Sequence, residues 1–282
     1  MSEPLLLNRV LKFIRFSHTI FALPFAFGSM LVAAHGLPSW RVVGLILLAM
    51  VFARTSAMAF NRVADWEIDQ ANPRTAGRHK LVSKRAAIAL TASSAVCFLV
   101  TCWFINLICF VLGPVALAIV FFYSLTKRFT TYTQLFIGLA LAVAPVGAWL
   151  AVEGRLGWPP LILAVGVVFW VAGFDLIYAI QDYDFDRQRG LGSMVVRYGV
   201  PRSLRLAQGM HGVLVVCLAG FGVSAGLGPV YYASLGLVLA ALVYEHRAAS
   251  RLDVAGINEA FFRSNAFVSV VFVLAIAVDL YW

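Results

Sequence analysis

The sequence alternates long apolar runs with polar breaks, and nine of the runs approach the roughly 20 residues that cross a bilayer as a helix. They fall at residues 16–35, 41–61, 86–104, 107–124, 134–152, 160–181, 203–224, 229–246 and 262–281. Only Ile105 and Asn106 separate the third run from the fourth. In hydrocarbon the backbone polar groups must bond within the segment, so each run is expected to be helical. The pattern predicts an all-α, polytopic membrane bundle of about nine transmembrane helices, organised as a single domain over residues 1–282. Two polar breaks are longer than the others, at 62–85 and 182–202, and both follow runs that end in aspartates.

Composition supports lipid as the solvent. Hydrophobic residues make up 62% of the 282 and charged residues 12%, with a mean hydropathy of +0.88. A soluble domain carries roughly twice that charged fraction. The basic stretch Arg9, Lys12 and Arg15, followed by an apolar run ending near Ala34, has the outline of a signal peptide. The rest of the chain is equally hydrophobic, so a retained first span is the simpler expectation. Cys97, Cys102, Cys109 and Cys217 all stand in apolar runs without CxxC spacing and read as small buried hydrophobes.

The net charge of +9 changes the picture only until the charges are placed. With the N-terminus inside, 19 of the 22 lysines and arginines fall in inner segments; Arg41 and Arg155 are outer, and Arg54 lies within a run. This is the positive-inside distribution, with the C-terminus outside. It accounts for the basicity without nucleic acid. Trp40, Trp158, Tyr231, Tyr232 and Trp282 fall at outer helix ends, where an aromatic belt is expected.

The candidate chemistry lies at two inner helix ends. Asn61, Asp65 and Asp69 are spaced i, i+4, i+8, so a continuing helix places them on one face about 6 Å apart. Tyr178, Asp182 and Asp186 repeat that face, with Asp175 one turn earlier and Asp184 turned away. The two sets are offset by 117 residues throughout, four runs apart, as in an internal repeat. Four carboxylates sharing a cavity repel one another unless a divalent cation intervenes, and Mg²⁺ takes one or two carboxylates together with phosphate oxygens and water. Arg74, Arg78, Lys80, Lys127, Arg128 and Arg187 in the adjoining loops are placed to grip phosphate; each also fits an ordinary inner-loop charge. Arg54, inside the second run, must meet an anion, a carbonyl or a carboxylate such as Asp175. His18 fits either a substrate contact or a lipid-interface cap. Asn265 fits either a site residue or a helix-to-helix hydrogen bond. Repeats and intramembrane charges also occur in secondary transporters, but transporter sites lie near the midplane rather than at helix ends.

These residues resemble the UbiA superfamily of intramembrane aromatic prenyltransferases. The resemblance is carried by Asn61, Arg62, Asp65 and Asp69 followed by Asn72, Pro73, Arg74 and Arg78; by Asp175, Tyr178, Asp182, Asp186, Gly190 and Ser193; and by Tyr123, Ser124, Lys127, Arg128 and Thr130. The start, His18 through Pro24, is similar to a bacterial subgroup that prenylates 4-hydroxybenzoate or menaquinone-pathway acceptors. The resemblance covers essentially the whole chain. It implies nine helices around a central cavity open to lipid, in the bacterial inner membrane. Asp65, Asp69, Asp182 and Asp186 would then ligate Mg²⁺, while Asn61, Arg74, Lys127, Arg128 and Tyr178 would bind the diphosphate of a polyprenyl donor. Asp175 and Arg54 would serve the reacting centre and the aromatic acid acceptor, 4-hydroxybenzoate or a naphthoate. No obligate protein partner is implied. The chain departs from the pattern at Arg62, where many relatives carry an aspartate. It also departs at residues 79–83, which lack a Leu-Pro pair, and at Gly192, where a Lys or His is common.

Overall fold

The computed structural model describes residues 6–14, 23–72, 75, 77, 80–251 and 254–282, and among these every regular element is helical. In chain order they are α1 (Leu6–Phe13), α2 (Leu23–Ala33), α3 (Trp40–Ala64), α4 (Trp66–Ala71), α5 (Lys84–Ile105), α6 (Leu107–Tyr123), α7 (Thr133–Glu153), α8 (Trp158–Ala179), α9 (Tyr183–Gln188), α10 (Met194–Tyr198), α11 (Val200–Ala225), α12 (Pro229–Ala249) and α13 (Val254–Tyr281). Short 3₁₀ turns cover Thr126–Arg128 and Ile180–Asp182.

Each predicted run corresponds to a helix, the first over residues 23–33, its start at 16–22 lying outside the described residues. Six are long and apolar enough to cross a membrane by length and composition, and α2 and α6 are shorter apolar helices. The remaining one, α12, is 21 residues long but carries Tyr231, Tyr232, Glu245 and His246, which lower its hydropathy. Asn106 alone separates α5 from α6. Its amide donates to Cys102 O at 3.2 Å, closing one helix, and its side-chain Oδ1 accepts from Cys109 N at 2.8 Å, opening the next. A single polar residue with extended backbone therefore makes the whole turn.

The chain divides into two compact units, Met1–Thr19 with Arg41–Leu125, and Ile20–Trp40 with Thr126–Trp282. In the first, α5 packs on α6, and Ser83 caps α5 by accepting from Ala86 N at 3.2 Å. In the second, α8 is the central helix, packed against α7 and α11, while α2 packs on α7 and α13, and α12 on α13. Trp170 on α8 is fully buried, with its ring tilted against Phe25 and edge-on to Phe174. Ser29 Oγ of α2 donates to Pro145 O of α7 at 2.7 Å. Asp279 near the end of α13 accepts from Gly228 N and Tyr231 N, satisfying the first turn of α12.

One belt residue is misplaced by the sequence pattern. Trp40, Trp158 and Trp282 are strongly exposed, but Tyr231 is fully buried. Its hydroxyl donates to Leu218 O at 2.9 Å and its ring packs near Phe221 and Phe272. Tyrosine at a helix end is enriched at the membrane interface, yet here a neighbouring carbonyl satisfies the hydroxyl inside the helix packing. The cysteines are free thiols, Cys102 and Cys109 buried, Cys217 half-buried and Cys97 exposed.

Candidate functional site

In the first unit, the aspartates stand where α3 gives way to α4. Asp65 N donates to Asn61 O at 2.9 Å and Asp69 N to Asp65 O at 2.7 Å, so the helical i, i+4, i+8 relation survives the break at Asp65. Asn61 and Asp65 are buried and Asp69 is half-buried. Asn61 Nδ2 donates to Asp65 Oδ2 at 3.4 Å and to Ser124 Oγ at 3.3 Å, which orients the Asp65 carboxylate from the preceding turn. Arg62 is buried as well, and its Nη1 donates to Asp69 Oδ2 at 3.0 Å. The residue that replaces a carboxylate in the motif is thus a cationic partner of Asp69. Thr75 Oγ1 donates to Asp69 O at 2.9 Å, bringing the following loop back to the helix end. Arg54 lies half-buried two turns before Asn61 on α3. Arg74, Arg78 and His18 lie outside the described residues.

A small apolar core holds this helix end in place. Phe13 and Ile14, at the end of α1 and just beyond it, pack with Ala59, Val82 and Ala87, and Trp66 lies against the same cluster. Arg9 Nε donates to Leu81 O at 3.0 Å. Helix α1 was not expected from the sequence. Its signal was the apolar spacing of Leu6, Val10 and Phe13, interleaved with Arg9 and Lys12, too short to register as a span.

In the second unit, Asp175 and Tyr178 lie half-buried in the last turns of α8, Asp182 ends the 3₁₀ turn, and Asp186 belongs to α9. Asp182 and Asp186 are half-buried, whereas Asp184 is exposed, as its turned-away position predicts. The continuous helix expected here is not kept. Through Ile180–Asp182 each residue advances about 120° instead of about 100°, so Asp182 is rotated relative to Tyr178 by up to roughly 60°. Buried Leu176 and Ile177 anchor this helix end against Met194 and Val195 of α10 and Ala207 and Met210 of α11. The Tyr178 ring packs against Phe261 at 4.9 Å between centroids, and Phe261 meets Phe174 edge-on at 5.3 Å.

Lys127 and Arg128 occupy the 3₁₀ turn after α6, with Lys127 half-buried and Arg128 exposed. The loop after α9 is bonded to this turn. Leu191 N donates to Asp186 O at 2.9 Å, Gly192 N to Lys127 O at 3.2 Å, and Met194 N to Gln134 Oε1 at 3.4 Å. Arg197 Nη1 donates to Thr131 Oγ1 at 3.3 Å and lies over the Tyr132 and Tyr198 rings. Lys80 and Arg187 are exposed.

Asn265, open between two roles in the sequence, makes the helix-to-helix bond. Its Nδ2 donates to Glu245 Oε1 at 3.1 Å and to Phe261 O at 2.8 Å. Glu245 is fully buried, His211 Nδ1 stands 4.0 Å from Glu245 Oε2, and His211 and His246 share a hydrogen bond at 3.0 Å. This polar group joins α11, α12 and α13. Sequence reasoning missed it, although a histidine, a Glu-His pair and an asparagine inside apolar runs were the available signal.

Among the described residues no three His, Cys, Asp or Glu side chains converge into a preformed metal site. Each cluster by itself offers oxygen donors, Asp65, Asp69 and the Asn61 amide in the first unit and Asp182 and Asp186 in the second. Such donors suit a hard cation, and Mg²⁺ in particular needs few protein ligands because phosphate and water complete its shell.

The sequence pattern of the UbiA prenyltransferase family matches residues 22–271, a stretch that runs through both units. Among curated proteins, 4-hydroxybenzoate octaprenyltransferase of Marinobacter nauticus is 30% identical over 279 residues, covering 96% of this chain and 93% of that one. Among solved structures, the apo form of a UbiA homolog from Aeropyrum pernix superposes with a TM-score of 0.84 at 31% identity, covering 93% of this chain and 98% of that one. A UbiA homolog from Archaeoglobus fulgidus, solved bound to GPP and Mg²⁺, shares the fold with a TM-score of 0.73 at 21% identity, covering 97% of this chain and all of that one, 100%.

Proposed function

The chain belongs to the UbiA prenyltransferase family, and we propose that it transfers a polyprenyl group from polyprenyl diphosphate to 4-hydroxybenzoate in quinone biosynthesis. The observation that supports this most is the repeated carboxylate register, Asp65 with Asp69 and Asp182 with Asp186, at helix ends flanked by basic turns. The relative from Marinobacter nauticus, similar over nearly the full length of both chains, carries that acceptor in its name. The protein is integral to the membrane; we place it in the bacterial inner membrane with both clusters on the cytoplasmic side, from the distribution of lysine and arginine.

The four aspartates serve as ligands for Mg²⁺, and Asn61, Tyr178, Arg74, Lys127 and Arg128 bind the donor's diphosphate. Mg²⁺, when bound, neutralises charge on the departing diphosphate. Lys127 and Arg128 add fixed positive charge where negative charge develops as the C–O bond breaks and its electron pair leaves with the diphosphate. Asn61 keeps Asp65 oriented, through the bonds described above. The allylic carbon then carries positive charge, and the aromatic packing of Phe174, Tyr178 and Phe261 supplies a wall that excludes water from it. Arg54 orients the carboxylate of the acceptor. The ring carbon forms the new C–C bond, and Asp175 takes the displaced ring proton.

Membranes containing the protein are expected to transfer radiolabelled polyprenyl groups to added 4-hydroxybenzoate. Asp65→Ala and Asp182→Ala should each abolish that transfer. Full activity in either variant would remove the diphosphate assignment, and preferential labelling of a naphthoate would reassign the acceptor.

A further inference from the structure

The loop that follows α9 contains a close backbone approach that the proposed roles do not use. Two consecutive amides point to two different parts of the second unit: Leu191 N bonds Asp186 O at 2.9 Å, and Gly192 N bonds Lys127 O at 3.2 Å. One peptide step therefore links the helix turn that carries Asp186 to the 3₁₀ turn that carries Lys127 and Arg128. Gly190, with φ +64°, supplies the left-handed turn that ends α9 and directs Leu191 back to Asp186.

Residue 192 has no room for a side chain. A Cβ there would lie 2.5 Å from Thr130 O, 3.1 Å from Thr130 C and 3.2 Å from Lys127 O. These are backbone atoms, so no rotamer change relieves the contact. Either the turn at residues 127–130 moves away or the loop does, and the bond from Gly192 N to Lys127 O lengthens in both cases. The same segment is tied again just beyond the turn, since Met194 N bonds Gln134 and Arg197 bonds Thr131. The strain therefore has few outlets.

We propose that Gly192 is a positioning residue for donor binding: by admitting the backbone of residues 127–130 at close range, it sets Lys127 and Arg128 in register with Asp186. This inference rests on the function proposed above, because the register matters only if both groups hold one diphosphate. It makes a distinction that charge alone does not. A lysine at residue 192 would add a cation beside two others and should tighten diphosphate binding if charge were all that counted. If close approach is what counts, a lysine weakens binding as an alanine does.

The test uses the purified full-length protein in detergent with Mg²⁺ and geranyl diphosphate as the probe. Binding is read by isothermal titration calorimetry, and transfer kinetics are measured with 4-hydroxybenzoate. Gly192→Ala and Gly192→Lys should each weaken binding by about tenfold or more and raise the KM for the donor, leaving the KM for the acceptor unchanged. In a Lys127→Met background the Gly192→Ala effect should shrink, because the part of it that acts through the Lys127 ammonium is gone while the part through Arg128 remains. In the wild type without ligand, the Leu191 and Gly192 amides should be protected in hydrogen exchange, a readout that stands even if the variants fail to fold. Tighter binding by Gly192→Lys, unchanged binding by Gly192→Ala, additivity with Lys127→Met, or unprotected amides would each overturn the proposal. Wild-type protein that does not bind geranyl diphosphate overturns the functional reading itself and this inference with it.

Discussion

Replacing Arg62 by methionine removes the guanidinium that bonds Asp69 while keeping much of the side chain's apolar length. The pair is 3.0 Å apart, with side chains 7% and 15% exposed. Unit charges centred about 4 Å apart attract by about 4 kcal/mol at an effective dielectric constant near 20. Much of that attraction is offset by the desolvation that burying both groups requires. Breaking a fully buried pair costs about 3–5 kcal/mol, whereas an exposed pair contributes about 0–1 kcal/mol. Asp69 retains some water and further interactions, so the expected loss in the ligand-free protein is about 2 kcal/mol. A cation bound at Asp69 supplies the positive charge that Arg62 no longer does. The difference between Arg62→Met and wild type should therefore shrink when Mg²⁺ and geranyl diphosphate are added. Thermal unfolding of the two proteins in detergent, each with and without the pair of ligands, reads both effects. Equal stability without ligands, or an equal ligand-induced gain in both proteins, would refute the argument.

Three further outcomes are expected. Asn265→Ala should destabilise the protein by about 1–3 kcal/mol, because it leaves the buried Glu245 Oε1 without its donor; Glu245→Gln, which keeps an acceptor for Asn265, should cost less, and thermal unfolding compares the two. Gly138→Ala would place a Cβ 2.3 Å from Val168 O, where α7 meets α8, and should cost about 1–3 kcal/mol with reduced folded yield, measured by detergent size-exclusion chromatography. Chelation with EDTA should abolish prenyl transfer and restored Mg²⁺ should recover it; activity that survives chelation would exclude a metal-dependent donor site.

The nine long helices and their approximate limits were legible in the sequence because they depend on local composition. A run of about 20 apolar residues must bury its backbone polar groups in a helix wherever its neighbours stand. The register of Asn61, Asp65 and Asp69 was legible for the same reason, since i, i+4, i+8 spacing belongs to one helix and survives the break at Asp65. The second cluster shows the limit of that argument. Its residue spacing is identical, but packing of Leu176 and Ile177 against α10 accompanies a 3₁₀ turn that rotates Asp182, and nothing in the local pattern specifies it.

Long-range contacts were decided by the tertiary structure alone. Asn61 meets Ser124 across 63 residues, and His211, Glu245 and Asn265 come together from three helices. Tyr231 looked like an interface residue until Leu218 O was found to satisfy its hydroxyl within the packed helices. Gly192 read as a lost cation; the backbone of Thr130, 62 residues earlier, supplies the geometric reason for a glycine there. Sequence alone determined which long segments are helical and that Asn61, Asp65 and Asp69 share a helix face, because those follow from properties that repeat every few residues. Which side chain meets which partner across the fold depends on atoms far apart in the chain, and only their packing settles it.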